Sequence, residues 1–317
     1  MKGIDVARAY WEQCGRPAIE AQLPALLPLV AAGLCGSGSE CFGFDDTLSR
    51  DHDFSQGFCL FLPDEDALDR RAAFQLERLY AKLPRDFMGL HRPLVNPTGG
   101  TRRGVMRASE FFMEKTGAAD GILTVGQWLT VPEHALAEAV NGEIFYDGPG
   151  AVTATRARLA RFPQDIRLKR LAGHLLLAGQ AGQYNYARCV AHGETGAAQL
   201  AAGAFVEHAM AAAFLLGDVY RPFYKWRFRA LRQLPALSDV GEDFEFLLTT
   251  GNGGGLPGEK QTVIERVAGA IVGELRAQDL TREAGMDLER HAYSVNDAIA
   301  DADIRNAHIL SAMRDTM

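Results

Sequence analysis

The sequence predicts an α+β fold in which a small mixed-sheet domain is followed by an all-helical domain. Short apolar runs typical of buried strands lie before residue 155, and apolar residues at helical spacing dominate after it. Strands in the first part of a chain and helices in the second indicate an α+β domain followed by a helical domain. At 317 residues the chain is long enough for two domains, which we place at residues 1–155 and 156–317.

The predicted strands are short apolar runs bounded by turn-forming residues. The first run leads directly into a Gly-Ser turn, and the second completes a strand that begins with acidic residues. The last is bounded by glycine on both sides, which marks the end of the sheet domain. The predicted strands cover residues 29–35, 51–62, 105–108 and 142–148.

Proline, acidic residues and apolar spacing together predict the first long helix. Pro63 stands at its start, acidic residues fill its first turn, leucines recur at helical spacing, and Pro84 ends it. Ser109 is predicted to cap the next helix. Residues 195–220 are Ala-rich and apolar nearly all round, so we expect a central helix in the second domain. Further helices are predicted to begin at residue 163 and to cover residues 257–277 and 286–300.

The composition is that of a soluble globular protein, with 47% hydrophobic and 23% charged residues. No stretch reaches the roughly 20 apolar residues that span a bilayer, and the N-terminus lacks the apolar core of a signal peptide. We therefore expect a cytoplasmic protein with no membrane partner. The net charge of −7 argues against a large nucleic-acid-binding face but leaves room for a local basic patch. Five cysteines, without a Cys-x-x-Cys pair, favour neither a zinc site nor a disulfide framework.

The segment from residue 36 to residue 54 carries the strongest functional signal. It joins a Gly-Ser turn to two acidic residues, Asp51 and Asp53, whose side chains would leave the same face of a strand. Two adjacent carboxylates repel each other unless a cation or a proton lies between them. Mg²⁺ prefers oxygen ligands and often shares its shell with substrate phosphates, and glycine-rich turns present backbone N–H groups to phosphates. The segment therefore predicts a site for nucleotidyl transfer.

The spacing of this segment resembles the signature of the polymerase-beta-like nucleotidyltransferase superfamily. Gly38-Ser39 is followed by Gly43 and then by Asp51-His52-Asp53. The wider pattern is similar to a bacterial branch whose members carry a C-terminal helical domain of unknown function. Three later segments share this similarity, at residues 182–186, 224–226 and 291–297.

The resemblance implies an enzyme that moves a nucleoside monophosphate from an NTP to an acceptor hydroxyl or phosphate, with Mg²⁺ or Mn²⁺ as cofactor and with release of pyrophosphate. Asp51 and Asp53 would be the catalytic metal ligands. The superfamily often adds a third acid from a neighbouring strand, and Glu110 is the candidate here, although an acid that opens a helix has an equally good structural explanation. The residues expected to hold the phosphates are Gly38, Ser39 and Gly43.

The helical domain is expected to contribute the rest of the binding site. In related two-domain enzymes this domain covers the nucleotide and supplies the acceptor site. Arg188 and Lys225 could bind phosphates, and Tyr184 is either a binding residue or a packed aromatic side chain with a polar tip. Because ligand pockets often lie between domains, we expect these three residues to face the turn across one cleft.

Several alternatives remain at this point. The Asp-x-Asp pattern could be a solvated turn, and Asp45 and Asp46 could bind a second metal, although loop solvation is favoured. The chain could also be a catalytically inactive nucleotidyltransferase-fold module that binds nucleotide or a partner protein. A small-molecule acceptor is favoured over a protein or tRNA. The glycine-rich stretch at residues 251–260 is not a phosphate loop, because Glu259 separates the glycine from the lysine and no Ser or Thr follows.

Overall fold

The computed structural model describes residues 1–47, 56–91 and 103–313. Asp51 and Asp53 lie outside these residues, so the predicted metal pair stays a prediction. The chain divides into two compact units, which we call the sheet unit and the helical unit. The sheet unit comprises Met1–Thr124 and Glu133–Ala160, and the helical unit comprises Val125–Pro132 and Arg161–Met317. The sheet unit thus ends at Ala160 rather than at residue 155, and one short segment before that point belongs to the helical unit.

The sheet unit contains a mixed four-stranded sheet, so the α+β expectation is confirmed at this level. The strand order is β5-β2-β1-β6, with β1 antiparallel to both of its neighbours and β2 parallel to β5. A separate antiparallel pair is formed by β3 and β4, which are not among the predicted strands. Among the described residues the strands are Ala31–Leu34 (β1), Cys59–Leu62 (β2), Asp86–Phe87 (β3), Leu90–His91 (β4), Gly104–Arg107 (β5) and Glu143–Asp147 (β6).

The strand register brings four chain segments together at one end of the sheet. Gly33 pairs with Cys59, Cys59 pairs with Gly104, and Leu34 pairs with Glu143. The end of β1 and the starts of β2, β5 and β6 therefore lie side by side. We call this the turn end of the sheet, because the Gly-Ser turn follows β1 there.

Helices account for most of the remaining described structure. The α-helices are Gly3–Tyr10 (α1), Arg16–Gln22 (α2), Arg70–Lys82 (α3), Ala108–Thr116 (α4), Val125–Thr130 (α5), Glu133–Val140 (α6), Ala151–Leu159 (α7), Gln164–Ala178 (α8), Ala187–Ala191 (α9), Thr195–Leu216 (α10), Arg227–Leu231 (α11), Gly241–Thr249 (α12), Leu256–Ala277 (α13), Leu288–Asp297 (α14) and Ala302–Asn306 (α15). π-helical segments occupy Trp11–Gly15 and Gly179–Tyr186. Short 3₁₀ helices occupy Pro24–Leu29, Ser39–Phe42, Tyr224–Trp226 and Ser238–Val240.

Two helix starts differ from the sequence prediction. Helix α3 begins at Arg70 rather than near Pro63, because the Asp69 carboxylate accepts the Ala72 N–H at 2.8 Å and fixes the first turn there. Ser109 does not cap α4, which already begins at Ala108. Its hydroxyl instead donates to the Asp64 carboxylate, just beyond the end of β2.

The core of the helical unit is built around α10. This helix packs against α8, α12 and α13 and against the π-helical segment Gly179–Tyr186. The expectation that no stretch could span a bilayer was wrong for this helix, whose length and composition would suffice to cross a membrane. However, 67% of the relevant window is buried inside the protein, as in the core helices of soluble proteins. Phe205, Ala209 and Phe214 on this helix are fully buried. The helix is central, as its composition predicts.

Candidate functional site

The Gly-Ser turn has a backbone that suits glycine at each key position. Gly36, Gly38 and Gly43 have φ angles of 103°, 133° and 69°, which other residues rarely adopt. The Asn141 side chain forms hydrogen bonds with both the N–H and the carbonyl of Gly36. The Gly36 N–H donates to Asn141 Oδ1, and Asn141 Nδ2 donates to the Gly36 carbonyl, each at 2.8 Å. Because Asn141 lies just before β6, the turn is fixed to the strand beside it.

Ser39 opens the short helix that follows the turn. Its residue exposure is 7%, and its carbonyl accepts the Phe44 N–H at 2.8 Å. The Cys41 N–H donates to the Gly38 carbonyl at 3.2 Å. Gly43 ends this single helical turn in the left-handed region. The three predicted phosphate-binding residues thus lie together in one compact, ordered loop.

A buried ion pair lies directly against this loop. Arg103 Nη2 donates to Glu40 Oε1 at 2.5 Å, and the two side chains are only 13% and 9% exposed. A Cβ atom at Gly38 would lie 2.7 Å from Glu40 Oε1, so the Glu40 carboxylate occupies the space that only glycine leaves open. Burial disfavours the charge on Arg103, but the Glu40 carboxylate outweighs it and raises the pKa of the guanidinium. A permanent cation is therefore held next to Gly38 and Ser39.

Sequence reasoning did not single out Arg103, Glu40 or Asn141. Glu40 and Arg103 are 63 residues apart, and only the pairing of β1, β2 and β5 brings them together. The available signal was positional: Arg103 lies two residues before a predicted strand, and Asn141 lies directly before the last one. Recognising either signal requires knowledge of which strand ends are neighbours.

Glu110, the candidate third carboxylate, lies in the first turn of α4. It follows the C-terminal end of β5, whereas the Gly-Ser turn lies beside the start of β5. Its side chain is exposed in the first turn of α4, where an acid is favourable because of the helix dipole. The alternative structural explanation for Glu110 therefore accounts for its position.

Asp45 is a buried structural residue rather than a solvated loop residue. It is 6% exposed, and its carboxylate accepts the Gly3 N–H at the start of α1, at 2.8 Å. Lys2 adds an ion pair at 3.6 Å and donates to the carbonyls of Asp45 and Gly43. These bonds fasten the loop after the turn to the first helix, and the favoured expectation of a solvated Asp45 was wrong.

The three predicted binding residues of the helical unit are exposed. Tyr184 is 58% exposed, and the Arg188 guanidinium lies 5.1 Å from the centroid of its ring. The Lys225 ammonium lies 5.1 Å from the Trp226 ring. Both arrangements are cation–π contacts that keep a charged group at an aromatic surface. These side chains are therefore accessible to an anionic ligand.

Lys260, the lysine of the glycine-rich stretch, does not face solvent. It is fully buried, and its ammonium donates to Gln199 Oε1 at 2.7 Å and to the Thr250 carbonyl at 2.5 Å. Burial lowers its pKa. Its hydrogen bonds join the loop before α13 to α10, a structural role rather than a phosphate-binding one.

The described residues contain no group of three or more His, Cys, Asp or Glu side chains placed to hold a metal ion. The predicted Mg²⁺ ligands lie outside this part of the chain. Two aspartates separated by one residue remain a suitable oxygen donor set for Mg²⁺ in chemical terms.

Comparison with known proteins gives one match. The model of DUF4037, a domain of unknown function, matches residues 128–227. No curated protein and no solved structure matches the chain. The matched segment begins within α5 and ends just after Trp226. It includes Tyr184 and Arg188. It does not include the Gly-Ser turn, so the family match says nothing about the candidate site in the sheet unit.

Proposed function

We propose that the protein is a nucleotidyltransferase that uses Mg²⁺ or Mn²⁺ to move a nucleoside monophosphate from an NTP to an acceptor hydroxyl or phosphate. The observation that supports this most is the turn end of the sheet. The fixed Gly38-Ser39 backbone and the buried Arg103 cation lie beside the start of β2. The chain that leads into β2 carries Asp51 and Asp53.

The backbone of the turn, Arg103 and the two aspartates have separate proposed roles. Backbone N–H groups of the turn would bind phosphate oxygens. Arg103 has five donors in a rigid fork, so it could hold a phosphate while it keeps its bond to Glu40. Asp51 and Asp53 would hold the metal ion, which when bound supplies positive charge for the transferring phosphoryl group.

The reaction breaks the phosphoanhydride bond between the α- and β-phosphates and forms an ester bond to an acceptor hydroxyl or an anhydride bond to an acceptor phosphate. The acceptor oxygen attacks the α-phosphorus, the bond from that phosphorus to the bridging oxygen breaks, and pyrophosphate leaves. The acceptor loses its proton to a base or to solvent. Tyr184, Arg188 and Lys225 are proposed to bind the NTP or the acceptor. A small-molecule acceptor in the cytoplasm is favoured by the net charge of −7, with a protein or tRNA as alternatives.

A specific observation favours the rival, a catalytically inactive module that binds nucleotide or a partner protein. The Glu40 carboxylate already lies against Gly38, and Arg103 is already paired with it. Glu110 lies at the opposite end of β5. An anionic group at the turn is unfavourable for binding a phosphate there, because like charges repel.

The test compares nucleotide binding with and without metal. Calorimetric titration of the wild-type protein with each NTP should give binding that requires Mg²⁺. The double variant D51N/D53N should lose this binding while its thermal stability is unchanged or higher, because carboxylate repulsion is relieved. The control is D66N, because Asp66 is exposed in the same unit and Asn can still accept the Ala67 N–H.

The outcomes separate the two proposals. NTP binding that is independent of Mg²⁺ and survives in the double variant would support the inactive module. Unfolding of the double variant, together with no metal dependence in the wild type, would contradict both the metal site and the proposed enzyme. For an active protein, NTP labelled at the α-phosphate and incubated with fractionated metabolites would identify the acceptor.

A further inference from the structure

One segment of the helical unit has a charge opposite to that of the whole chain. Residues 219–238 contain five basic residues and no acidic one, although the net charge of the chain is −7. We call residues 221–232 the basic segment. Its cations are Arg221, Lys225, Arg227, Arg229 and Arg232.

Carboxylates from outside the segment hold part of it in place. Glu207 on α10 binds both Arg221 at 2.8 Å and Arg227 at 2.5 Å, and Glu245 binds Arg232 at 2.8 Å. Two carboxylates therefore face three of the five cations, and the segment keeps an excess of positive charge. The guanidinium groups of Arg221 and Arg227 lower the pKa of Glu207 against the effect of its burial, which raises it. The ion pairs of Glu207 fix the two ends of the Tyr224–Trp226 turn to the long central helix.

Aromatic rings between these cations are exposed. Phe223 is 40% exposed and Tyr224 is 66% exposed, with ring centroids 4.4 Å apart. Lys225 and Arg229 lie 5.1 and 5.7 Å from the centroid of the Trp226 ring. Adjacent exposed rings on a soluble surface commonly mark an interaction site. Here the rings are interleaved with cations on a backbone that is anchored to α10.

We propose that the basic segment is a binding surface for single-stranded nucleic acid. Exposed rings provide faces on which bases stack, and interleaved cations bind the phosphates that run alongside. The local positive charge would attract a polyanion to a protein that otherwise repels it. Lys225 is shared with the residues proposed to bind the NTP or the acceptor, whereas Phe223, Tyr224, Trp226 and Arg229 have no part in the proposed nucleotidyl transfer.

The shape of the segment favours a nucleic acid over an anionic membrane. A membrane-surface element needs a helix with a continuous apolar face directed outwards. Helix α11 has five residues, and its Leu231 is fully buried in the protein. The exposed rings at Phe223 and Tyr224 form a small stacking surface rather than an apolar helix face.

The test measures the fluorescence anisotropy of a labelled single-stranded oligo-uridylate of about a dozen nucleotides, a length within known site sizes. Wild-type protein should bind it, and the affinity should fall steeply as salt rises from about 50 to about 200 mM. Tyr224→Ala should weaken binding at least about fivefold, the lower end of the effect of one stacked base. Lys225→Gln should weaken binding and lower the salt slope by about one.

The control is Arg290→Gln, which removes an equal charge from an exposed arginine elsewhere in the helical unit and should leave the affinity unchanged. Circular dichroism of each variant should match the wild type. No binding at low salt, or equal affinity for wild type and Tyr224→Ala, would overturn the proposal. Binding to phosphatidylserine vesicles without binding to the oligonucleotide would also overturn it, in favour of a membrane surface. The D51N/D53N variant should bind the oligonucleotide normally, so failure of the proposed enzyme and failure of this surface are distinguishable.

Discussion

At the scale of single residues, the helical unit contains a buried pair of histidines. His174 on α8 and His208 on α10 share a hydrogen bond between their Nδ1 atoms, at 3.0 Å. One ring must donate and the other accept, so the contact requires that at least one ring is neutral. Burial and the charge on Arg221 lower the pKa of both rings, and although Glu207 acts in the opposite direction on His208, the pKa of His208 falls to about 4. The pair is therefore neutral in the folded protein near neutral pH.

This pair should make stability depend on pH. The unfolded-state pKa of histidine is about 6.5, and the folded-state pKa of His208 is about 4. Above pH 6.5 the contribution of His208 is constant. As the pH falls from 6.5 to about 4 only the unfolded state gains the proton, so the free energy of unfolding falls by about 3 kcal/mol. Urea unfolding at several pH values should show this loss in the wild type and a smaller loss in His208→Gln. An identical pH dependence in both proteins would contradict the assignment.

The Glu40–Arg103 pair should contribute strongly to the stability of the sheet unit. Glu40→Ala leaves a buried guanidinium without its carboxylate, which typically costs about 3–5 kcal/mol. The control is Glu20→Ala, which removes the exposed ion pair with Arg16 in the same unit and should cost less than about 1 kcal/mol. Urea unfolding of both variants measures the difference. Equal small losses would show that Arg103 is hydrated rather than held by Glu40.

At the scale of elements, the packing of the π-helical segment Gly179–Tyr186 explains why a glycine occupies position 182, in the motif at residues 182–186. A Cβ atom at Gly182 would lie 2.3 Å from Phe205 Cδ2 and 2.9 Å from Ile264 Cγ2. This glycine therefore lets the segment pack closely against α10 and α13. Its structural role is sufficient to account for its presence in the motif, without a role in ligand binding.

Two glycine substitutions should have opposite effects on stability. Gly182→Ala should destabilise the protein by about 1–3 kcal/mol, because the added methyl group overpacks the contact with Phe205. Gly203→Ala lies inside α10 with no atom near the added methyl group, so it should stabilise the protein by about 0.5–1 kcal/mol. Thermal unfolding measures both. Destabilisation by Gly203→Ala, or a neutral Gly182→Ala, would show that the helix packing differs from that described.

At the scale of the whole molecule, local patterns predicted the elements better than the site. The apolar runs before the turn and at Cys59–Leu62 predicted strands because buried strands need such runs. The start of α3 was missed because several acids precede Asp69 and each could have been the cap. The Glu40–Arg103 contact could not be predicted, since it depends on strand pairing between distant segments. Glu110 was chosen because the predicted strand before it offers no acid, whereas which end of β5 it follows depends on strand direction.

The most direct test of the proposed function is hydrogen exchange at the Gly-Ser turn. Saturating NTP with Mg²⁺ should slow exchange of the backbone amides at residues 36–44, because those N–H groups would bind phosphate oxygens. The protection should require Mg²⁺ and should be absent in D51N/D53N but present in D66N. Unchanged exchange at residues 36–44, under conditions in which the protein is saturated with NTP, would contradict a phosphate site at this turn.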